Sequence, residues 1–361
     1  MTWITIQGRR IGPGEPTYII AELSANHHGQ YERAEQIVRA ASEAGADAVK
    51  LQTYTAETMT IDCDAPPFCV GPGTIWEGRS LYELYGEAHT PWDWHEPLMT
   101  LAKELGITMF STPFDETAVE LLEGLDVPAY KIASFELVHL PLIQRVAATG
   151  RPMILSTGMG TREEIDEAVA TARDAGCDQL ALLRCNSAYP APPEAMDLRT
   201  IPAMAERYDV PIGLSDHTLG ITVATTAAAL GACIIEKHLT LSRDEPGPDS
   251  VFSLEPKEMK AMVRAVRDTE ATLGAVRYGP SAAEQPSAIF RRSIFVVSDV
   301  SAGDRFTQEN LRVIRPGVGL HPRHLPEVLG RRAVCDLLRG TPLSWDHVDG
   351  SKGARKRMAL Q

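Results

Sequence analysis

The chain has no uninterrupted run of about 18 apolar residues, the length a membrane-crossing helix needs. Its start, Met1-Thr-Trp-Ile-Thr-Ile-Gln7, lacks the long apolar segment of a signal peptide. The six cysteines (63, 69, 177, 185, 233 and 335) form no CxxC pair and no zinc-like spacing. Three of them lie in or beside apolar segments, where a buried free thiol is expected. Cys63 and Cys69 share a loop, but pairing there would need an oxidising compartment. These absences predict a soluble, cytoplasmic protein with no membrane partner. Positive charge is also scarce: 35 Lys and Arg against 48 Asp and Glu give a net charge of −13. That excludes an extended nucleic-acid surface while allowing a local basic pocket for a small anion. Finally, no GxGxxG follows the first apolar run, as an open nucleotide-binding sheet would normally require.

Hydrophobic residues at 44% and charged residues at 23% give 361 residues ample core for one large domain and a smaller one. One pattern recurs: a short apolar run, a polar tip, then an amphipathic stretch. The runs are 18–23, 48–53, 108–113, 130–134, 152–158, 180–187, 211–218 and 234–240. Between them, 34–45 ends in a helix-stopping glycine, and Thr161 with Glu164 has capping-box spacing. Eight strand–helix units predict a (β/α)8 TIM barrel over residues 1–274. Between the second and third runs lie more than fifty residues, including the Gly-, Pro- and aromatic-rich stretch 60–94, a length that marks a functional loop. The last barrel helix, 256–274, carries Met259, Met262, Val263, Val266 and Leu273 on one stripe, expected as core. Residues 275–290 read as a linker, 291–350 as a small β-rich module, and 351–361 as a disordered basic tail.

Barrel active sites lie at the carboxyl ends of the strands, so the polar tips form a predicted site. They are Glu22 with Asn26 and His27; Lys50 and Gln52; Ser111 and Thr112; Lys131 and Ser134; Ser156 and Thr157; Asn186, Ser187 and Tyr189; Ser215 and His217; and His238. Two lysines among hydroxyls suit a phosphate-bearing anion. His217 and His238, on neighbouring strands, suit a divalent ion with open positions that polarises a carbonyl. Glu22 is the candidate acid/base. A metal-dependent aldolase or isomerase would share such a rim. A carbohydrate- or ice-binding protein would leave its lysines and histidines without a task.

The motifs Ile20-Ala-Glu-Leu-Ser-Ala-Asn-His27, Val49-Lys-Leu-Gln52, Phe110-Ser-Thr-Pro-Phe114, Tyr130-Lys-Ile-Ala-Ser134, Leu155-Ser-Thr-Gly-Met159, Gly213-Leu-Ser-Asp-His-Thr218 and Glu236-Lys-His238 resemble those of the sialic acid synthase family. Arg292-Ser-Ile-Phe295 and Arg315-Pro-Gly-Val-Gly-Leu-His-Pro322 are similar to its antifreeze-like (SAF) domain. The Ala-Glu-Leu-Ser-Ala-Asn-His form resembles the pseudaminic acid branch; neuraminic and legionaminic acid synthases are the alternative. The resemblance implies condensation of phosphoenolpyruvate with a 6-deoxy-2,4-diacetamido hexose, with Mn2+ or Mg2+ on His217 and His238. It assigns phosphoenolpyruvate to Lys50, Thr112, Lys131, Ser134, Ser156, Ser187 and Ser215, and catalysis to Glu22. Asn26, Gln52, Tyr189 and Asp249 would face the sugar, joined by Arg315 from a neighbouring subunit of a domain-swapped homodimer. Neuraminate synthases often carry Asn where this chain has Ser187, whose backbone N–H can still meet a phosphate.

Overall fold

The computed structural model describes residues 3–350, so the tail expected at 351–361 lies outside the described residues. The chain divides into two compact units, 1–274 and 275–361.

The first unit opens with a hairpin of β1 (Ile4–Ile6) and β2 (Arg9–Ile11), ahead of the first apolar run that the sequence shows. Its strands are too short for alternation to reveal, but Gln7 and Gly8 both have positive φ, as a two-residue hairpin turn requires. Eight parallel strands follow: β3 (Tyr18–Glu22), β4 (Ala48–Thr53), β5 (Thr108–Pro113), β6 (Tyr130–Ile132), β7 (Met153–Ser156), β8 (Leu180–Cys185), β9 (Ile212–Asp216) and β10 (Ile234–His238). They close a barrel in sequence order, with β10 against β3. Several strands stop earlier than their apolar-to-polar runs. At β6 the ladder ends at Ile132, because Ser134 already opens a 3-10 turn over Phe135–Val138.

Buried Ile4, Ile6 and Ile11 cluster with Tyr18, Ala48 and Ile234, the first residues of β3, β4 and β10. The hairpin therefore stoppers the amino-terminal end of the barrel. It is tied there by Thr5 N–H donating to Gln179 Oε1 (2.8 Å) and by Thr108 Oγ1 donating to Gln7 Oε1 (2.9 Å).

Helices pack their apolar faces on the barrel. Tyr31–Ala44 ends at Gly45 in the left-handed conformation, and Arg162–Asp174 starts from a Thr161–Glu164 capping box, both as the sequence indicates. In Pro256–Leu273 the stripe holds through Met259, Met262 and Val266, but Leu273 is 56% exposed, because the helix runs past the barrel wall. The long insertion between β4 and β5 is structured, with helices Ala56–Met59, Leu81–Ala88 and His95–Leu105. All six cysteines are free.

In the second unit, 275–290 holds a 3-10 turn, Gln285–Phe290. β11 (Ser293–Val296) pairs antiparallel with β12 (Leu311–Ile314) over a core of Ile294, Val296, Phe306, Leu311 and Leu343. Residues 331–334 of the expected β-rich module make only single bridges, Arg305 with Arg332 and Ala333 with Val348.

Candidate active site

Strand register assembles the site. Glu22 lies beside both Lys50 and His238, Gln52 beside Thr112, and Ser215 beside both Glu236 and Cys185. Because side chains alternate across a strand, Ser215, His217, Glu236 and His238 all face the barrel interior. They line a cavity of about 340 Å³ with Glu22, Lys50, Gln52, Lys131, Ser134, Ser156, Tyr189 and Asp249.

Its floor is a buried charge network. Lys50 Nζ forms an ion pair with Glu22 and donates to Thr112 Oγ1 (3.0 Å). Lys131 Nζ donates to Ser156 Oγ (2.6 Å) and to the Ile132 carbonyl (2.8 Å). Between the lysines sits Glu236, 4.0 Å from Lys50 Nζ and 3.9 Å from Lys131 Nζ, accepting from Ser215 Oγ at 3.0 Å. Burial pushes Glu22 up to about 7, against the pull of Lys50. For Lys50, burial lowers the pKa but Glu22 and Glu236 more than offset it, and the amine ends above its ordinary value. Lys131 is held below its ordinary value by burial, with Glu236 opposing. For Glu236, burial acts upward but the two lysines win, keeping it an anion.

Gln52 Nε2 donates to Glu22 Oε1 (3.3 Å) and Ser24 Oγ (3.0 Å), and Ser24 Oγ bonds Asp249. Burial raises the Asp249 carboxyl, partly countered by Ser24. The rings of His217 and His238 stand 5.3 Å apart. His217 Nδ1 contacts the Asn186 carbonyl at 2.9 Å, which fixes that nitrogen as the N–H and turns the Nε2 lone pair outward. Burial and neighbouring His217 keep His238 neutral, well below its ordinary pKa, and His238 Nδ1 is buried without a hydrogen-bond partner. Phe252 packs 4.9 Å from His238, and Tyr189 4.5 Å from His217.

Thr112 stands behind Lys50 rather than in the lining, and Ser187 faces Ser134 across Gly158. A Cβ on Gly158 would lie 2.3 Å from Ser187 Oγ and 2.6 Å from Ser134 Oγ, so only glycine fits between the two hydroxyls. Asn26, like Thr112 and Ser187, does not line the cavity. Asn26 is fully buried and spends its amide on the Leu239 carbonyl (3.1 Å) and Ser253 Oγ (2.9 Å), because the 3-10 turn Ser24–His27 points it into the loop after β10. Arg315 belongs to the second unit, where it is exposed just past β12. The sequence reading left out Glu236, Cys185, Glu136 and Phe252. Glu236 could have been found, since it shares a strand face with His238. Glu136 could not, because only the turn after β6 brings it to the cavity.

A model described as the NeuB family matches residues 37–278, and one described as the SAF domain matches 291–349. The chain belongs to the NeuB family. It is thus an enzyme of the nonulosonic acid synthase type, with the family's barrel and SAF domain. Pseudaminic acid synthase of Helicobacter pylori is 42% identical, over 93% of this chain and 99% of that one. N,N'-diacetyllegionaminic acid synthase of Legionella pneumophila is 38% identical, over 94% and 96%. Among solved structures, the spore coat polysaccharide biosynthesis protein spsE of Bacillus subtilis superposes with a TM-score of 0.66 at 36% identity, covering 96% and 99%. N-acetylneuraminic acid synthetase of Leptospira borgpetersenii gives 0.71 at 31%, covering 79% and 95%.

Proposed function

We propose that this NeuB-family enzyme is a pseudaminic acid synthase. It would join phosphoenolpyruvate to 2,4-diacetamido-2,4,6-trideoxy-altropyranose in its open-chain form, giving pseudaminic acid and phosphate. The observation that carries the reading is the floor: two buried lysines, each bonded to a hydroxyl, set beside the imidazoles of His217 and His238, of which burial keeps His238 neutral. Buried ammonium groups need compensating negative charge, which Glu22 and Glu236 supply in part and the phosphate or carboxylate of a substrate would complete. Identity to the pseudaminic acid synthases, and the form Ala21-Glu-Leu-Ser-Ala-Asn-His27, favour that sugar over the legionaminic one.

A divalent ion, Mn2+ or Mg2+, fits the donors present. His238 Nδ1 is buried without a hydrogen bond, 3.9 Å from Asp249 Oδ2, and His217 Nε2 is left free by the bond that Nδ1 makes. Among the described residues no group of three or more His, Cys, Asp and Glu is placed to hold a metal, so substrate oxygens would complete the shell. When bound there, the ion withdraws electron density from the aldehyde oxygen.

The chain's residues supply the rest. Lys50 and Lys131, with Ser134, Ser156 and Ser215, hold the phosphate and carboxylate of phosphoenolpyruvate and stabilise their charge throughout, while Thr112 positions Lys50 from behind and Ser187 acts from across Gly158. C3 of phosphoenolpyruvate attacks the aldehyde carbon, water adds at C2, and the tetrahedral centre loses phosphate by C–O cleavage. Glu22, poised near neutrality, gives a proton to the former aldehyde oxygen and accepts one from the water. Gln52, Tyr189 and Asp249 orient the sugar. Arg315 is assigned to the sugar bound by a second copy in a homodimer, and the enzyme to the cytoplasm; no helix among the described residues is long and apolar enough to cross a membrane.

The test is phosphate release by the purified chain with phosphoenolpyruvate and a panel of hexoses. Turnover with the 2,4-diacetamido-altrose sugar is expected; turnover with N-acetylmannosamine alone overturns the choice.

A further inference from the structure

Asp249 reaches the cavity from the loop after β10, and the same loop sets Phe252 against His238. The loop has little regular structure, only a 3-10 turn over Ser250–Phe252 and a single bridge between Leu239 and Leu254. What holds it is the turn after β3. Asn26, at 0% exposure, lies on that turn and spans the loop with one amide. Nδ2 donates to the Leu239 carbonyl (3.1 Å), where the loop leaves β10, and to Ser253 Oγ (2.9 Å), where it returns. Ser253 Oγ passes the contact on, donating to the Asp249 carbonyl at 2.6 Å. Two residues before Asn26, Ser24 Oγ donates to the Asp249 carboxylate and accepts from Gln52 Nε2 (3.0 Å). One turn therefore fixes Asp249 twice, at its backbone and at its carboxylate. Arg33 locks the turn from outside: its Nε donates to the Asn26 carbonyl (2.7 Å), and its guanidinium pairs with Glu245 of the same loop.

The orientation of the amide follows from its partners. The Leu239 carbonyl can only accept, so the group facing it is Nδ2, and Oδ1 is left buried without a partner. We infer that Asn26 is a positioning residue for the condensation: it holds Asp249 at the cavity through Ser253 and meets no substrate itself. The inference rests on the proposed function, in which Asp249 orients the sugar. Two N–H donors on one short, planar group are what two acceptors on separate segments require, and an ionised aspartate of the same shape offers neither. Displacing a substrate-orienting group by about 1 Å can cost about 10²-fold in rate.

The experiment uses the full chain, phosphoenolpyruvate, Mn2+ and whichever hexose of the panel turns over. The variants are Asn26→Asp, Ser253→Ala and Asp249→Asn, with each of the first two also combined with Asp249→Asn. Asn26→Asp is expected to lower kcat/KM for the sugar about 10- to 100-fold, while KM for phosphoenolpyruvate holds. Ser253→Ala breaks the relay by removing only a hydroxyl, so it should lose activity in the same way, and it carries the test if Asn26→Asp does not fold. In the Asp249→Asn background neither change should add much, because the group being positioned is already gone. Hydrogen exchange without substrate gives a second reading. The amides of Ser250, Ser253 and Leu254 should exchange faster in Asn26→Asp and Ser253→Ala, and those of β3, β4 and β10 should not. Unchanged sugar kinetics in both single variants, a full additional loss in the doubles, or unmoved exchange in the loop overturns the inference. Turnover of a different hexose replaces the pseudaminic acid reading and leaves this test intact. Turnover of none removes the condensation, and the exchange measurement then decides whether Asn26 holds the loop.

Discussion

Lys237 Nζ lies 2.8 Å from Asp216 Oδ2, and both side chains are completely buried. The two residues are direct register partners on β10 and β9, and each sits between two cavity-lining neighbours, Glu236 and His238 on one strand, Ser215 and His217 on the other. Lys237 also donates to the Thr218 carbonyl, and Asp216 Oδ1 accepts from the Thr218 N–H (2.9 Å) and hydroxyl (2.7 Å). Breaking one side of such a pair leaves a buried charge, so Asp216→Ala is expected to cost about 3–5 kcal/mol in urea unfolding. Asp216→Leu combined with Lys237→Met should recover most of that loss, because no lone charge remains. A double variant as unstable as the single one would refute this account.

Glu22 is expected to set the rate. Glu22→Gln keeps the shape but cannot exchange a proton, so kcat should fall by about 10²- to 10⁴-fold. Burial holds the group near 7, so the parent's pH–rate profile should bend near pH 7 and the residual activity of the variant should not.

The insertion should loosen in acid. His95 Nε2 contacts Thr53 Oγ1 at 2.7 Å, while His27 packs 5.3 Å from Trp94; burial lowers both to about 4. A base with a depressed folded pKa contributes stability in full above the unfolded value near 6.5, and that stability is lost as pH falls toward 4. Each histidine accounts for on the order of 3 kcal/mol of that loss. Urea midpoints between pH 7 and 4 should show the decline, and His95→Gln should flatten part of it. Equal slopes for parent and variant would exclude His95 as a source.

Chelation should abolish phosphate release, and Mn2+ or Mg2+ should restore it. For His238→Ala, Mn2+ affinity measured by electron paramagnetic resonance should drop by more than the roughly 10- to 100-fold typical of losing an outer-shell partner. Unchanged Mn2+ binding would remove His238 from the ligand set.

The bond that breaks can be read by isotope. In water enriched in ¹⁸O, the label should enter C2 of the product, and phosphate should stay unlabelled. Label in phosphate would mean P–O cleavage.

Much of the barrel was legible because each strand announces itself by an apolar run. For β4 and β5 the boundaries coincide with the observed ones. Where strands ended early, at β6 and β7, the polar tip was already turning out of the ladder. The hairpin escaped notice because three residues carry too little periodicity to detect. Leu273 was misplaced because a stripe gives the direction of a side chain but not whether anything lies beneath it. Asn26 shows the limit for the site: a polar residue near a strand tip can face the cavity or serve the loop, and only tertiary structure decides.

The stoppered end of the barrel makes the cavity a cul-de-sac. On the proposed reading, phosphoenolpyruvate held by Lys50 and Lys131 would lie at its closed end, and a sugar entering after it would block the way in behind it. The reactants must therefore queue, the small acid entering first. Product must also clear the entrance before another turnover begins. A non-reactive sugar analogue should act as an uncompetitive inhibitor against phosphoenolpyruvate, and random-order kinetics would mean that a second doorway exists.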